Sequence, residues 1–378
     1  MTRLVVLGST GSIGRQTLEV AAAHPDRFSI VGLASAHGSD AFAEQLAGHP
    51  AARAWCAAGR PADLVPARWV AGGLPALATE TDADLVVVAT TGMAALPAVL
   101  DALRAGRRVA LANKEALVTG GHLVTAALDA LGGDALDWLR PIDSEHSAIW
   151  QCLVGEPPGS VARLVLTASG GPFRGRDPRT LKGVTPDEAL AHPTWRMGPK
   201  ITIDSATLVN KAFEAIEARW LYRLPYASID AVIHPQSVVH SLVEFVDGSY
   251  KAQLGLPDMR LPIQYALTYP ERLAAPSRHG SPEEWAELTF AALDPGAYPA
   301  YDTVRAAADA GGNRGTVVNA ADEAAIAAFL AGALPFPGIA ATIQRAVERW
   351  GSDREPPLDE IVALDAEVRA TLETELAA

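Results

Sequence analysis

The sequence is poor in cysteine and in basic residues, and it has no long hydrophobic run. Its 378 residues include two cysteines, Cys56 and Cys152, which excludes the disulfide framework of a small secreted protein. Lys and Arg total 31 against 44 Asp and Glu, and the net charge of −13 argues against binding to nucleic acid or to anionic membranes. The uncharged stretch at residues 85–100 is too short to span a bilayer and contains glycine and proline.

The composition and the N-terminal residues favour a globular protein of the cytoplasm. Hydrophobic residues make up 49% and charged residues 20%, which is typical of a folded chain, and the length corresponds to about two to three domains. The first three residues lead directly into an apolar run at 4–7, without the apolar segment and cleavage site of a signal peptide. We therefore expect a cytoplasmic location.

Short apolar runs alternate with helix-like segments over roughly the first 140 residues. The predicted strands are 4–7, 28–34, 85–89, 109–112 and 135–139, and the predicted helices include 17–23, 94–103 and 124–131. Continuous apolar strands separated by helices indicate a parallel sheet that is covered on both faces. The sequence therefore predicts a doubly wound, Rossmann-like α/β domain.

The pattern changes after residue 141. Runs at 163–167, 229–233, 238–246 and 249–254 predict a mixed or antiparallel sheet, and Asp247-Gly248 is a strong hairpin-turn signal between the last two. Five prolines interrupt residues 270–300, and only helix-like segments follow. We expect an α/β domain at 1–142, a central α+β domain at 143–269, a linker at 270–300 and an α-helical domain at 301–378.

A glycine-rich segment, GSTGSIG at 8–14, follows the first predicted strand and opens a helix near Gly14. Glycines at this turn let the backbone approach a pyrophosphate, and the helix N-terminus offers unpaired N–H groups to the anion. A purely structural turn is the alternative, but the position at the first βα turn favours nucleotide binding.

The residues after the second predicted strand bear on the choice between NAD and NADP. Ala36, His37 and Gly38 contain no carboxylate of the kind that binds the ribose in NAD enzymes, and the first acidic residue is Asp40. This absence favours NADP. No Arg or Lys stands there either, so His37 is the only candidate partner for the 2′-phosphate.

Two groups of polar residues suggest a divalent metal. If 141–146 is extended, Asp143 and Glu145 point to the same side and offer two hard oxygen ligands. A polar turn in which Asp143 or Ser144 caps the next helix is the alternative.

The second group lies further along the chain. A helix that starts at Asp204 or Ser205 would place Asn210, Lys211 and Glu214 on one face. Glu214 could then be a third carboxylate ligand, while Ser205, Asn210 and Lys211 suit a phosphate. A solvated helix face with a Lys–Glu pair is the alternative.

Three further segments are candidates for ligand contact. ASGGPFR at 168–174 follows a strand, and its glycines suit close approach to an anion. HPTWRMGP at 192–199 has the composition of a lid that closes over a ligand. Asn113-Lys114-Glu115 follows the fourth strand, where the lysine could reach cofactor or substrate, although an ordinary helix start would look the same.

Together these motifs resemble the 1-deoxy-D-xylulose 5-phosphate reductoisomerase family. The matching segments, in the order of the family, are GSTGSIG at 8–14, LANKEAL at 111–117, PIDSEHSAIWQC at 141–152, ASGGPFR at 168–174, HPTWRMGPKITIDSATLVNK at 192–211 and IHPQSVVHSLVEF at 233–245. The resemblance implies NADPH- and metal-dependent isomerisation and reduction of 1-deoxy-D-xylulose 5-phosphate to 2-C-methyl-D-erythritol 4-phosphate in the non-mevalonate isoprenoid pathway. It also implies a homodimer, a cofactor-binding role for 1–142 and a catalytic role for 143–269.

The resemblance also implies roles for individual residues. The cofactor-binding set is Gly8, Thr10, Gly11, Ser12, Ile13, Ala36, His37, Gly38, Asn113, Glu115 and Gly198. The metal ligands, for magnesium, manganese or cobalt, are Asp143, Glu145 and Glu214. The substrate-binding and catalytic set is Lys114, Ser144, Glu145, Ser169, His192, Trp195, Met197, Ser205, Asn210, Lys211 and Glu214.

One segment departs from the family, and two other functions remain as alternatives. Family members often carry Gly, then Arg or Lys, then Asn where this chain has Ala36-His37-Gly38, which leaves the 2′-phosphate contact open. An NADP-dependent dehydrogenase of another small phosphorylated or acidic substrate would need no metal site. A non-catalytic NADP-sensing protein would bind the cofactor and turn nothing over.

Overall fold

The structure is a computed structural model, and it describes residues 1–195 and 197–377. Strands and helices alternate in its first part. The strands are β1 (Thr2–Leu7), β2 (Phe28–Ser35), β3 (Arg53–Cys56), β4 (Leu85–Val88), β5 (Arg108–Leu111) and β6 (Leu139–Pro141). The helices are α1 (Ser12–Ala23), α2 (Asp40–Gly48), α3 (Gly73–Glu80), α4 (Leu96–Arg104), α5 (Glu115–Leu131), α6 (Ala135–Trp138) and α7 (Ser144–Leu153).

The remaining elements begin with a strand and end with helices. The strands are β7 (Val161–Ala168), β8 (Ile229–Ile233), β9 (Val239–Phe245), β10 (Tyr250–Leu254) and β11 (Ala291–Ala292). The helices are α8 (Pro186–Leu190), α9 (Pro199–Thr207), α10 (Val209–Tyr222), α11 (Arg260–Thr268), α12 (Pro299–Ala310), α13 (Arg314–Leu330), α14 (Gly338–Trp350) and α15 (Leu358–Ala377). Among the described residues, no helix combines the length and apolarity that crossing a membrane requires.

The chain divides into two compact units, and each is built from separate stretches. The first contains Met1–Ala116, Leu123–Trp150 and Asp258–His279. The second contains Leu117–His122, Gln151–Pro257 and Gly280–Ala378. Helices α5 and α7 contribute residues to both units, so neither unit is one continuous length of chain.

The first unit is organised around a parallel sheet with the strand order β3-β2-β1-β4-β5-β6. The strands are short and almost wholly apolar, and the four residues of β4 are all buried. Strands that are buried on both faces need no polar alternation, which is why they appear as continuous apolar runs in the sequence. This sheet confirms the predicted doubly wound, Rossmann-like architecture.

The second unit contains a mixed sheet and the C-terminal helices. Its strand order is β10-β9-β7-β8-β11, with β7 parallel to β8 and antiparallel to β9. The predicted hairpin is present: β9 and β10 pair antiparallel, and Gly248 makes the turn at a φ of 82°. Helix α13 is rich in buried alanines, whose small side chains allow helices to pack closely around it. The mixed sheet and the helical C-terminal region are as predicted.

Two predictions about local structure are wrong or incomplete. Residues 135–139 were predicted as a strand, but Ala135–Trp138 is helical, because the Asp134 side chain accepts a hydrogen bond from Leu136 N and caps a helical turn. Only Leu139–Pro141 pairs with β5. Strand β3, whose sequence RAWC has no β-branched residue, was not predicted either.

Candidate active site

The glycine-rich turn of the first unit lies directly against the end of β2. Gly8 N and Ser9 N both donate to Ala34 O, at 3.0 and 2.8 Å. A Cβ atom added to Gly14 would lie 2.2 Å from Gly8 O, so α1 meets the turn at a distance that only glycine allows. Helix α1 begins at Ser12, earlier than expected, and Gly11 caps it without a side-chain hydrogen bond. Its first N–H groups are therefore positioned for an anion.

The residues after β2 form the next part of this edge of the sheet. Thr10 Oγ1 and Ser35 Oγ share a hydrogen bond of 2.8 Å, which joins the turn to the end of β2. Ser35 Oγ in turn donates to His37 O. Ala36, His37 and Gly38 are all exposed.

Asn113 connects the loop after β4 to the start of α5. Its amide nitrogen donates to Thr90 O and Gly92 O at 3.0 and 2.9 Å, and its Oδ1 accepts from Ala116 N. With 1% of its surface exposed, the side chain is held entirely by backbone groups. Asn113 therefore fixes the loop geometry at the carboxyl edge of the sheet.

The segment that carries Asp143 and Glu145 is the start of a helix, so the predicted extended alternation is wrong. Asp143 precedes α7, and its backbone oxygen accepts from Ser147 N. Glu145 lies in the first turn of α7, and Ser144 Oγ donates to Glu145 Oε2. A helix N-terminus carries partial positive charge and stabilises carboxylates, which favours a helix start with Glu145 in its first turn.

A lysine and a histidine accompany these carboxylates. Lys114 Nζ lies 2.5 Å from Asp143 Oδ2, and the Lys114 side chain is 8% exposed. His146 Nδ1 is 3.9 Å from the same carboxylate oxygen and is completely buried. One oxygen of Asp143 therefore has two basic side chains near it within its own unit.

In the second unit, the predicted face of Asn210, Lys211 and Glu214 is present. Asn210 Nδ2 donates to Glu214 Oε1 at 2.5 Å, and the Lys211 ammonium donates to Glu214 Oε2. Glu214 has no exposed surface and Lys211 has 4%. A charge buried to this extent must be matched by opposite charge, so this is not the solvated helix face of the alternative interpretation.

The helix that carries this face begins later than expected. Asp204 and Ser205 lie inside α9, and the chain breaks at Leu208, which adopts a left-handed conformation with φ 57°. Helix α10 then starts at Val209. The break separates Ser205, near the end of one helix, from Asn210, at the start of the next.

His192 and Ser169 form a hydrogen-bonded pair beside these helices. His192 Nδ1 accepts from Thr194 N and Trp195 N, at 3.1 and 2.9 Å, so the ring proton resides on Nε2. Nε2 then donates to Ser169 Oγ at 3.1 Å, and burial lowers the pKa of His192, which keeps the ring neutral. Gly171 N also donates to Ser169 Oγ, so the hydroxyl hydrogen of Ser169 can be offered to an anion.

The glycine loop at 170–171 packs tightly on α9. A Cβ added to Gly171 would lie 2.5 Å from Ser205 O, and Gly171 itself has a φ of 66°. Tyr298 Oη donates to Gly170 O at 2.9 Å and holds the other side of the loop. Gly171 is therefore required for the close contact between the loop and the Ser205 backbone.

A buried cluster of three charges anchors α9 to α13. Lys200 Nζ lies 2.8 Å from Asp204 Oδ2 and 3.0 Å from Asp322 Oδ2. Asp322 is fully buried and Asp204 is 3% exposed. Burial raises the pKa of both carboxyl groups, and the charge of Asp322 raises that of Asp204 further.

The structure distributes the predicted site residues over the two units. The first unit holds Gly8, Thr10, Gly11, Ser12, Ile13, Ala36, His37, Gly38, Asn113, Lys114, Glu115, Asp143, Ser144 and Glu145. The second unit holds Ser169, His192, Trp195, Met197, Gly198, Ser205, Asn210, Lys211 and Glu214. Arg196, in the predicted lid, lies outside the described residues.

Two residues of these groups were missed by the sequence analysis. His146 follows Glu145 and stands three residues from Asp143, and this helical spacing was the available signal. Tyr298 gave no signal, because it is distant in sequence from the loop that it holds.

Comparison with known proteins decides the family. Family models match residues 4–121 as 1-deoxy-D-xylulose 5-phosphate reductoisomerase, and 139–222 and 254–371 as two C-terminal domains of that enzyme. Reductoisomerases of this name from Pelotomaculum thermopropionicum and Thermomicrobium roseum are each 48% identical to the chain, cover 97% of it and are themselves covered to 96% and 95%. The chain belongs to the 1-deoxy-D-xylulose 5-phosphate reductoisomerase family. The resemblance inferred from the motifs is confirmed.

Solved reductoisomerases have the same fold. One, in complex with NADPH, fosmidomycin and magnesium, aligns with a TM-score of 0.90 at 34% identity and covers 100% of this chain and 98% of its own. The Zymomonas mobilis reductoisomerase in complex with NADPH aligns with a TM-score of 0.85 at 34% identity, over 99% of both chains.

Proposed function

We propose that the protein converts 1-deoxy-D-xylulose 5-phosphate into 2-C-methyl-D-erythritol 4-phosphate, with NADPH as reductant and a divalent metal ion. The observation that carries the proposal is the buried group formed by Asn210, Lys211 and Glu214, in a chain that belongs to the reductoisomerase family over nearly its whole length. A fully buried carboxylate with a lysine and an amide on its two oxygens is costly, and a site for an anionic, metal-bound substrate accounts for it.

The residues of the first unit fit NADPH. The N-terminus of α1 has no side-chain cap, so its first N–H groups can donate to a pyrophosphate. The close contact between Gly14 and Gly8 brings this helix against the glycine-rich turn with no side chain between them. Thr10 and Ser35 fix the adjoining turn by their shared hydrogen bond. We propose that the eleven residues assigned to the cofactor by resemblance, Gly198 among them, bind NADPH.

Asp143, Glu145 and Glu214 have the chemistry of magnesium ligands. All three offer hard carboxylate oxygens, and within the units Asp143 and Glu214 are each paired with a lysine. When bound, the metal would polarise the carbonyl and adjacent hydroxyl oxygens of the substrate. Magnesium, manganese and cobalt all suit such ligands, and we propose magnesium because solved relatives contain it.

The second unit supplies groups for the substrate phosphate. The hydroxyl oxygen of Ser169 accepts hydrogen bonds from His192 and Gly171, so its hydrogen can be donated to the phosphate. Ser205, Asn210 and Lys211 add a hydroxyl, an amide and an ammonium group on the adjoining helices. The substrate phosphate lies away from the reacting carbons. Hydrogen bonds to it from fixed donors would orient those carbons for the reaction.

The loop that carries His192, Trp195 and Met197 would cover the substrate. Two backbone N–H groups of this loop bind His192 Nδ1, so the loop and the ring move as one piece. Closure would exclude water from the substrate during its isomerisation and reduction. Lys114 and Ser144 complete the proposed set, each in contact with one of the carboxylates.

The decisive experiment follows the absorbance of NADPH after addition of 1-deoxy-D-xylulose 5-phosphate, first with magnesium and then with EDTA. We expect oxidation that stops on chelation, with 2-C-methyl-D-erythritol 4-phosphate as the product. Oxidation that EDTA does not affect, with another phosphorylated or acidic substrate, would instead favour a metal-independent dehydrogenase. NADPH binding without turnover would favour a cofactor-sensing protein.

The proposal extends to assembly and location. The β9–β10 hairpin exposes Val246, Tyr250 and Leu254, and β10 is an edge strand, so we propose a homodimer that buries this hairpin. Substituting Tyr250 with Glu should shift the protein to monomers in light scattering. We propose a cytoplasmic location, where thiols such as Cys56 and Cys152 stay reduced.

A further inference from the structure

The proposed NADPH site lacks an obvious partner for the 2′-phosphate, the group that distinguishes NADPH from NADH. Ala36, His37 and Gly38 follow β2 at the position where such a partner is expected, and none carries a permanent positive charge. Arginine, which is always charged and presents a planar set of donors, is the residue that suits a phosphate of this kind.

The chain after β3 runs alongside this segment. Strand β3 pairs in parallel with β2, and Cys56 is opposite Ser35 at the carboxyl ends of the strands. The pairing continues beyond both strands: Ala57 N donates to Ser35 O at 3.1 Å, and Ala58 N donates to Ala36 O at 3.2 Å. The loop after β3 is therefore fixed beside the residues at which the 2′-phosphate is expected.

Arg60 follows immediately in this loop. Gly59 has a φ of 103° and donates its N–H to Cys56 O, which makes a tight turn just before the arginine. Two residues of chain span at most about 7 Å, so Arg60 stays within a side-chain length of the Ala58–Ala36 contact. In the segments 35–40 and 57–63, Arg60 is the only lysine or arginine.

The Arg60 side chain is exposed and anchored at one point. Nη1 donates to Leu64 O at 2.6 Å, and among the described residues this carbonyl is its only hydrogen-bond partner. Asp40 and Asp63, the acidic residues of the same two segments, form no ion pair with it in the part of the chain that the structure describes. The guanidinium group thus keeps most of its planar donor set for an external anion.

We propose that Arg60 binds the 2′-phosphate of NADPH and is the residue that makes the protein prefer NADPH over NADH. This inference rests on the proposed function, because it concerns the cofactor of that reaction. Arg60 takes the place of a cation after β2 by approaching the same position from the next strand. Without it, His37 is the basic side chain left in the segments 35–40 and 57–63.

The test compares dissociation constants for NADPH and NADH by titration calorimetry, without substrate. We expect Arg60→Ala to weaken NADPH binding by about 10- to 100-fold, which is the loss expected for charge-assisted hydrogen bonds, and to change NADH binding by less than about twofold. Arg60→Lys should retain part of the preference for NADPH over NADH, because lysine keeps the positive charge but lacks the paired, planar donors of the guanidinium group. The wild-type preference should also decrease as salt is raised.

Arg53→Ala is the matched control. Arg53 begins β3 at the amino end of the strand, and its Nη1 also donates to a backbone oxygen, that of Glu80. This variant should bind both cofactors as the wild type does. Equal weakening of NADPH and NADH binding by Arg60→Ala would show that Arg60 only supports its loop. Unchanged NADPH binding would show that Arg60 makes no contact with the cofactor. Either result would overturn the inference about Arg60 and leave the proposed function standing. Wild-type protein that binds no NADPH would overturn the proposed function together with it.

Discussion

The Lys200 cluster permits a stability prediction that depends on pH. One ammonium group lies within 3.0 Å of two carboxylates that have 3% and 0% of their surface exposed. Lys200→Met keeps most of the apolar length of the side chain, and its flexible thioether adapts to the site. It leaves Asp204 and Asp322 buried without the lysine's charge. Removing one partner from a buried ion pair costs about 3–5 kcal/mol, and we expect a loss of this size in the free energy of unfolding near pH 7.

The pH dependence follows from the raised pKa values of the two aspartates. Because both pKa values are higher in the folded protein than in the unfolded chain, the folded state binds protons more tightly, and the free energy of unfolding falls as pH rises from about 4 through those pKa values. Lys200 lowers both pKa values, so its loss extends the fall to higher pH. The cost of Lys200→Met should therefore be larger at about pH 8 than at about pH 5.

Urea unfolding followed by circular dichroism at the two pH values measures this difference. Arg354→Met is the control, because Arg354 pairs with Glu360 at a site where its side chain is 65% exposed, and such pairs contribute less than about 1 kcal/mol. Adding Asp322→Asn to Lys200→Met should recover part of the loss at the higher pH. The reasoning is refuted if Lys200→Met costs no more than the control, or costs the same at both pH values.

Four further predictions address the site and the thiols. Glu214→Gln should lower turnover at saturating magnesium by at least about 100-fold and leave NADPH affinity unchanged, because it removes a proposed ligand of the metal; wild-type turnover would contradict this role. Trp195→Ala should raise KM and slow turnover with a cooperative thermal melt, as expected for a half-buried lid residue. A melt without cooperativity would instead make it a core residue. Gly14→Ala should destabilise the first unit by about 1–3 kcal/mol and weaken NADPH binding, because the new Cβ would lie 2.2 Å from Gly8 O; calorimetry that finds wild-type affinity would count against the close contact. Burial raises the pKa of the Cys152 thiol to about 11, so a thiol reagent should label it only after denaturation, and rapid labelling of the folded protein would be inconsistent with this environment.

Much of the fold could be predicted because its strands are strongly patterned. The buried run at Leu85–Val88 and the Asp247-Gly248 turn carry signals within a few residues, and both elements are present. Strand β3 is different, since it is short and is held by its pairing with β2, a contact that local sequence does not encode. The loop after β3, which carries Arg60 and pairs with Ala36 through Ala58 N, has no sequence signal for the same reason.

In the candidate site, too, features with a local sequence signal could be predicted and features that depend on packing could not. The shared face of Asn210 and Glu214 follows from helical spacing, and the structure contains it. The break at Leu208 could not be predicted, because a left-handed leucine depends on the packing of its surroundings and has no sequence signature such as glycine. The position of Glu145 was mispredicted because strand-like alternation and a capped helix start look alike over four residues.

The discontinuous first unit has a consequence for how the protein is made. Helix α11 supplies Ile263 and Tyr265 to the core of this unit, and Tyr265 stacks edge-on against Trp150 at 4.8 Å. A ribosome must therefore synthesise more than a hundred residues of the second unit before the nucleotide-binding core can be completed. Nascent chains that stop before Asp258 should remain dependent on chaperones. For the same reason, no single continuous segment of the gene encodes this unit.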